Sequence, residues 1–177
     1  IGIGVIIFTS FAIIQSVTAY YLQDRFLLTI NETARSTALC LGVMAAMAIV
    51  SQLTIVQRFK GPPLDLILWS IPIFIISALT ISFSLDFNWV LVGMGLVGLA
   101  MGLASPGYSS FASLNADSES QGAAVGLAMV APGIGFALGP LLSGFIYQVN
   151  IILPFLFIIP LFIIALVLII RLRNKTS

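Results

Sequence analysis

"PGIGFALGPLLSG", residues 132–144, lies within residues 121–170, a run without one charged side chain, yet it holds two prolines and four glycines. A chain in lipid must satisfy its own backbone hydrogen bonds, and both residue types weaken the helix that does so. In a helix interior each glycine costs about 1 kcal/mol and each proline about 3 kcal/mol relative to alanine. A spanning helix tolerates them where protein, rather than lipid, covers the backbone they expose. The stretch therefore predicts a membrane helix packed closely against others.

The rest of the chain agrees with a membrane setting. Of 177 residues, 60% are hydrophobic and 7% charged, with a mean hydropathy of +1.18, against roughly 25% charged in soluble domains. With no histidine and one cysteine, Cys40, an internal disulfide is excluded and no protein-only metal site is expected. The seven basic residues are scattered over short loops and a tail, so no nucleic-acid partner is expected. Ile1 already stands inside an apolar run with no start methionine before it, and the chain is expected to be a piece of a longer one.

About 20 apolar residues cross a bilayer core of about 30 Å. Six such runs fit, over 1–22, 34–56, 64–84, 89–114, 121–148 and 151–170, followed by a tail at 171–177. The expected fold class is an all-α membrane protein, a compact bundle of six transmembrane helices joined by short loops. Arg58, Lys60, Arg171, Arg173 and Lys175 fall on one face and Arg25 and Arg35 on the other. The richer face is expected to be cytoplasmic, which puts both ends of the chain inside. Ser118 with Gln121 reads as a capping box opening the fifth helix, leaving Asp117 and Glu119 as solvated loop residues.

The spans differ in texture. The third and sixth are almost continuous large apolar residues and are expected to face lipid on most sides. The first, second, fourth and fifth carry the polar and small residues and are expected to face protein or water. In the first span Phe8, Phe11, Gln15, Thr18 and Leu22 share a stripe, and in the fourth Met94, Met101, Ser105 and Tyr108 do. Such faces suit a pocket for apolar molecules with few orienting polar groups; interhelical packing with modest hydrogen bonds is the competing reading. Glycine pairs four apart at Gly98 and Gly102, Gly122 and Gly126, and Gly135 and Gly139 permit close helix approach. Pro106, Pro132 and Pro140 are points of a bend, either mobile or static.

Two chemistries fail. "GIGFALG" is a loose relative of a dinucleotide fingerprint, but no acidic residue follows Glu119 to hold a ribose. An embedded hydrolase has no histidine as base and no Asp, Glu or Lys deep within a span. No enzyme activity, metal or organic cofactor is expected.

"QGAAVGLAMVAPGIGFALGPLLSGFIYQ", residues 121–148, resembles the eleventh helix of major facilitator superfamily transporters of the drug:proton antiporter type, with Gly135, Gly139, Pro140 and Gly144 in its core. "YYLQDRFLLTINETAR", residues 20–35, is similar to the end of the seventh helix and the outer loop of that group. The resemblance runs through all six spans and implies the C-terminal half of a twelve-helix bundle. It implies further that the first and fourth spans line a central cavity, the third and sixth face lipid, and the second and fifth meet a partner half of six helices. "TIVQRFKGPP", residues 54–63, departs from the family's cytoplasmic signature, keeping Arg58 but placing Gln57 and Lys60 where an acid and a glycine are usual.

The function so implied is proton-coupled efflux of amphipathic organic compounds by alternating access in the cell inner membrane, with the proton gradient as energy source. Uptake of a nutrient or organic anion by the same fold, and a transport-inactive scaffold or receptor, are the alternatives. Expected partners are the N-terminal half, the lipid bilayer and a small-molecule substrate. Phe11, Gln15, Thr18, Met101, Ser105 and Tyr108 are the expected substrate contacts, and Gly135, Gly139, Pro140 and Gly144 the gate helix. Asp24, beside Arg25 near the outer end of its span, is either a coupling carboxylate or half of a solvated ion pair.

Overall fold

The computed structural model describes residues 1–114 and 121–176. They form six helices: α1 (Gly2–Phe26), α2 (Ile30–Thr54), α3 (Pro63–Ser82), α4 (Phe87–Leu114), α5 (Gln121–Val149) and α6 (Leu153–Thr176). All six are long and apolar enough to cross a membrane. The capping box expected at Ser118, with Asp117 and Glu119, lies outside the described residues.

The termini explain where the apolar runs mislead. Residues 23–36 read as a loop, but helix continues through Asp24 and Arg25, and the connection shrinks to three residues, 27–29. α1 stops at Leu27, which takes the left-handed conformation at φ 52° while the Leu28 N–H reaches back to the Gln23 carbonyl at 3.2 Å. α2 opens on a capping box: the Thr29 N–H donates to Glu32 Oε2 at 2.9 Å and the Glu32 N–H to Thr29 Oγ1 at 3.4 Å. Both ends thus satisfy donors or acceptors that a bare helix leaves open. α4 is capped by Asp86, whose carboxylate accepts from the Asn88 and Trp89 N–H groups at 2.8 and 3.3 Å. At the other end of the chain helix runs on through Arg171 and Arg173, so the expected tail is mostly helical.

α4 packs against α2 and α3, and α1 against α5 and α6, with α3 and α6 also in contact. Glycines set the first of these distances. A Cβ on Gly98 would meet the Met44 backbone, its carbonyl carbon at 2.8 Å, and one on Gly102 the Ala48 carbonyl oxygen at 2.6 Å. The α4 pair is therefore the face on which α2 rides. Rings close the other side: Phe74 stacks on Phe162 at 4.7 Å between α3 and α6, and Tyr21 meets Phe155 edge-on at 4.9 Å between α1 and α6. At the same end as Asp24, the Tyr21 hydroxyl lies 2.8 Å from both the Ile81 carbonyl and Ser84 Oγ.

On this chain by itself, exposure does not follow texture. α2 and α5 present more open surface than α3 and α6, although the latter are the more uniformly apolar. α3 turns Ser70, Ser77 and Ala78 inward with Ile67, Ile71 and Ile81, and the two serines donate their hydroxyl protons to the Ile67 and Phe74 carbonyls one turn back, at 2.7 Å each. Uniform apolarity hides which face is packed, because every face is equally acceptable to lipid. Gln52 and Thr54 of α2, read as polar residues facing protein or water, are exposed on this chain.

Candidate functional site: the seam between α1 and α5

α1 and α5 meet along rows of residues spaced by four. On α1 the row is Phe8, Ala12, Ser16, Tyr20 and Asp24; on α5 it is Gly135, Gly139, Ser143 and Tyr147. A spacing of four puts residues of one helix on one face, one above the other. The rows run parallel and in step, Gly135 against Phe8, Gly139 against Ala12, and Tyr147 beside Tyr20 and Asp24.

The seam is tight at one end and open at the other. A Cβ on Gly135 would stand 2.7 Å from the carbonyl carbon of Phe8, and one on Gly139 would stand 3.0 Å from that of Ala12. Nothing larger than hydrogen fits there. One and two turns further, serines and tyrosines replace the small pairs, and a cavity of about 530 Å³ opens, bordered by Ser16, Tyr20, Pro140, Ser143, Gly144 and Tyr147. That volume is within the ordinary range for small-molecule pockets. Its far end carries a hydrogen bond from the Tyr147 hydroxyl to Asp24 Oδ2 at 2.7 Å.

This geometry corrects two expectations. Gly135 and Gly139 do not await a surface outside this chain; both are buried on α1. Of the four residues expected to form the gate helix, Pro140 and Gly144 are the exposed ones, and a Cβ on Gly144 would meet nothing within 4 Å. Asp24 and Arg25 do not pair with each other: Arg25 donates to the Ser84 carbonyl at 3.1 Å, and Asp24 accepts from Tyr147. Consecutive helical residues point about 100° apart, so each side chain found a different neighbour.

The six expected substrate contacts divide. Phe11 is half-buried with its ring edge-on to Phe136 at 6.1 Å, and Gln15 is exposed one turn along. Met101 and Ser105 are half-buried on α4. Tyr108 is buried against Gly4 and meets Phe8 edge-on at 5.9 Å. It also borders a second cavity of about 570 Å³, with Ile3, Ile67, Phe111, Leu168 and Arg171 around it. Thr18 has no open face: it is 2% exposed, donates to the Ile14 carbonyl at 2.6 Å and touches Met94 Sδ at 3.8 Å. The α1 stripe straddles the edge of the packed interior, with Gln15 just outside it and Thr18 just inside.

Tyr20, Phe136, Ser143, Tyr147 and Gln148 escaped selection as site residues. For Tyr20, Ser143 and Tyr147 the signal is present in the sequence as the continuation by fours of the rows that begin at Phe8 and Gly135; Phe136 and Gln148 each stand one position beyond a member of the α5 row. Reading the glycine pairs as isolated motifs stopped that row one step short.

No curated protein sequence matches the chain significantly. The model of the Major Facilitator Superfamily matches residues 1–177, the whole chain. Six membrane-length helices, packed with α1 at the centre of one layer and α4 at the centre of the other, are what one half of such a bundle requires, and the chain belongs to this superfamily of membrane transporters.

Proposed function

We propose that this chain is the C-terminal half of a drug:proton antiporter, exporting amphipathic organic compounds by alternating access. The carrying observation is the α1–α5 seam: a partly open face with aromatic surface at Phe11 and Phe136, an exposed amide at Gln15, and an adjoining cavity bordered by hydroxyls and without a basic side chain. Such a surface holds apolar molecules by area and orients them through a few polar groups.

An N-terminal half of six helices completes the cavity and rocks against this one around a site near the membrane midplane. The open faces of α2 and α5 are the surfaces it covers. The proton gradient supplies the energy, and the protein resides in the cell inner membrane. The excess of basic residues beside the α2–α3 connection and the end of α6 supports a cytoplasmic location for both ends of the chain. An ion pair of 3.9 Å between Arg173 and Asp65 brings the end of α6 to the start of α3, as two segments on one side of the membrane require.

Dye efflux from energised vesicles carrying the full-length protein tests this reading. Efflux that stops when the proton gradient is collapsed is expected. Gradient-independent movement, net uptake, or no movement of any compound tried would overturn it, the last in favour of a scaffold.

A further inference from the structure

We propose that the cavity bordered by α1, α3, α4 and α6 at the Arg171 end of the bundle holds the headgroup of an anionic phospholipid, with Arg171 and Tyr108 as the groups that bind its phosphate. The two side chains border one space of about 570 Å³, together with Ile3, Ile67, Phe111 and Leu168. Tyr108 is 4% exposed, yet among the described residues its hydroxyl has no hydrogen-bond partner. Gly4 seats it: a Cβ there would meet the end of the ring and stand 2.7 Å from the hydroxyl oxygen. A phenol enclosed in this way ordinarily finds an acceptor, and a guest in the cavity can supply one. The Arg171 guanidinium also has no ion-pair partner among the described residues. Arg173, about 200° further round the helix, is the one that takes Asp65, at 3.9 Å. None of the described residues bordering the cavity is acidic. A guanidinium and a hydroxyl donor with no competing carboxylate favour a phosphate oxygen.

The surface leading to the cavity says which anion. On α6 the rows Ile163, Val167, Arg171 and Ile164, Leu168, Leu172 run side by side at spacings of four. All of these but Leu168 are exposed, and Leu168 is half-buried at the cavity edge. Two strips of branched carbon therefore lead to one guanidinium and one cavity. A free phosphate or short carboxylate would use the charge and leave both the strips and the apolar lining bare. A lipid satisfies both, with its phosphate at Arg171, where the basic end of a membrane helix stands at headgroup level, and its acyl carbon along the rows. Basic side chains at the membrane surface draw anionic lipids, whereas a zwitterionic headgroup brings a cation of its own to the arginine.

The site depends on the membrane setting of the chain and not on substrate, coupling or direction, so its test needs no transport. Purified full-length protein in detergent is titrated with phosphatidylglycerol and with phosphatidylcholine of the same acyl chains, and bound lipid is counted by native mass spectrometry. Phosphatidylglycerol is expected to bind about tenfold tighter, as for hydrogen bonds to a charged partner. Arg171→Gln is expected to remove that preference and Arg171→Lys to keep part of it. Tyr108→Phe, which keeps the ring over Gly4, is expected to weaken phosphatidylglycerol severalfold. Arg58→Gln removes a base that does not border the cavity and is expected to change nothing. An equal loss in Arg58→Gln would reduce the effect to general surface charge and overturn the site. Equal binding of the two lipids by the unaltered protein, the result if another segment of the protein fills the cavity, also overturns it, as does a preference that survives in folded Arg171→Gln. Displacement of the lipid by glycerol phosphate at comparable concentration would show a site for the headgroup alone and overturn the lipid assignment. None of these outcomes bears on whether efflux follows the proton gradient.

Discussion

At the scale of single residues, the seam turns on which side chains can be added. Gly139→Ala places a methyl group against the Ala12 side chain and 3.0 Å from its carbonyl carbon. Overpacking of this kind is expected to cost about 1–3 kcal/mol, read as a lowered melting temperature of the purified protein. Gly144→Ala faces open space and is expected to leave stability unchanged or to raise it by about 1 kcal/mol or less through helix propensity. Equal losses at the two positions would contradict the packing described. Gln15 and Thr18 form a second contrasting pair. Gln15→Ala removes an exposed amide from the seam and is expected to weaken substrate binding by up to about tenfold, the value of one neutral hydrogen bond, with melting unaffected. Thr18→Val keeps the shape of a side chain already enclosed and is expected to leave substrate affinity unchanged.

Elements are decided at their ends. Thr29 and Glu32 satisfy each other's backbone donors at the start of α2, and Thr29→Ala is expected to cost about 1 kcal/mol. Leu27, 87% exposed and left-handed, contributes little by packing and carries the steric cost of a Cβ in that conformation. Leu27→Gly is therefore expected to stabilise the protein by up to about 1 kcal/mol, and a thermal melt of the two variants shows whether the signs differ. The motif Thr-x-x-Glu was legible in "LLTINETARS", residues 27–36, and should have moved the start of α2 four residues earlier than the apolar run suggests. Hydropathy locates what the membrane accepts, whereas capping locates where the helix starts, and the two need not coincide.

At the scale of the whole molecule, the proposed alternating access puts motion between groups of helices rather than at every proline. Close contact at Gly135 and Gly139, with the Tyr147–Asp24 hydrogen bond at the far end, ties α5 to α1 along most of their length. Under the proposed alternating access these two helices travel together. Cross-linking of cysteines at positions 16 and 143, in a protein with Cys40→Ser, is expected to proceed at the same rate with and without an imposed proton gradient. A rate that falls severalfold when the gradient is imposed would show that the seam itself opens. Orientation is tested by an impermeant maleimide on intact cells. A cysteine replacing Arg35 is expected to react from outside and one replacing Lys60 only after permeabilisation; the opposite pattern would reverse the topology.

Six helices, their approximate spans and the membrane setting followed from the sequence alone, because the cost of exposing polar groups to hydrocarbon is read from composition and run length without any tertiary contact. The importance of "PGIGFALGPLLSG" was equally plain, since glycine and proline are costly wherever a helix is isolated in lipid. Its partner was not. Only the packed structure decided that Gly135 and Gly139 meet α1 while Pro140 and Gly144 face open space. The same applies to Thr18, drawn inside by a rotation of a fraction of a turn, and to Asp24, which found Tyr147, 123 residues away, instead of its neighbour Arg25. Spacing fixes which residues share a face of one helix; which face meets which is settled by the fit of all six at once.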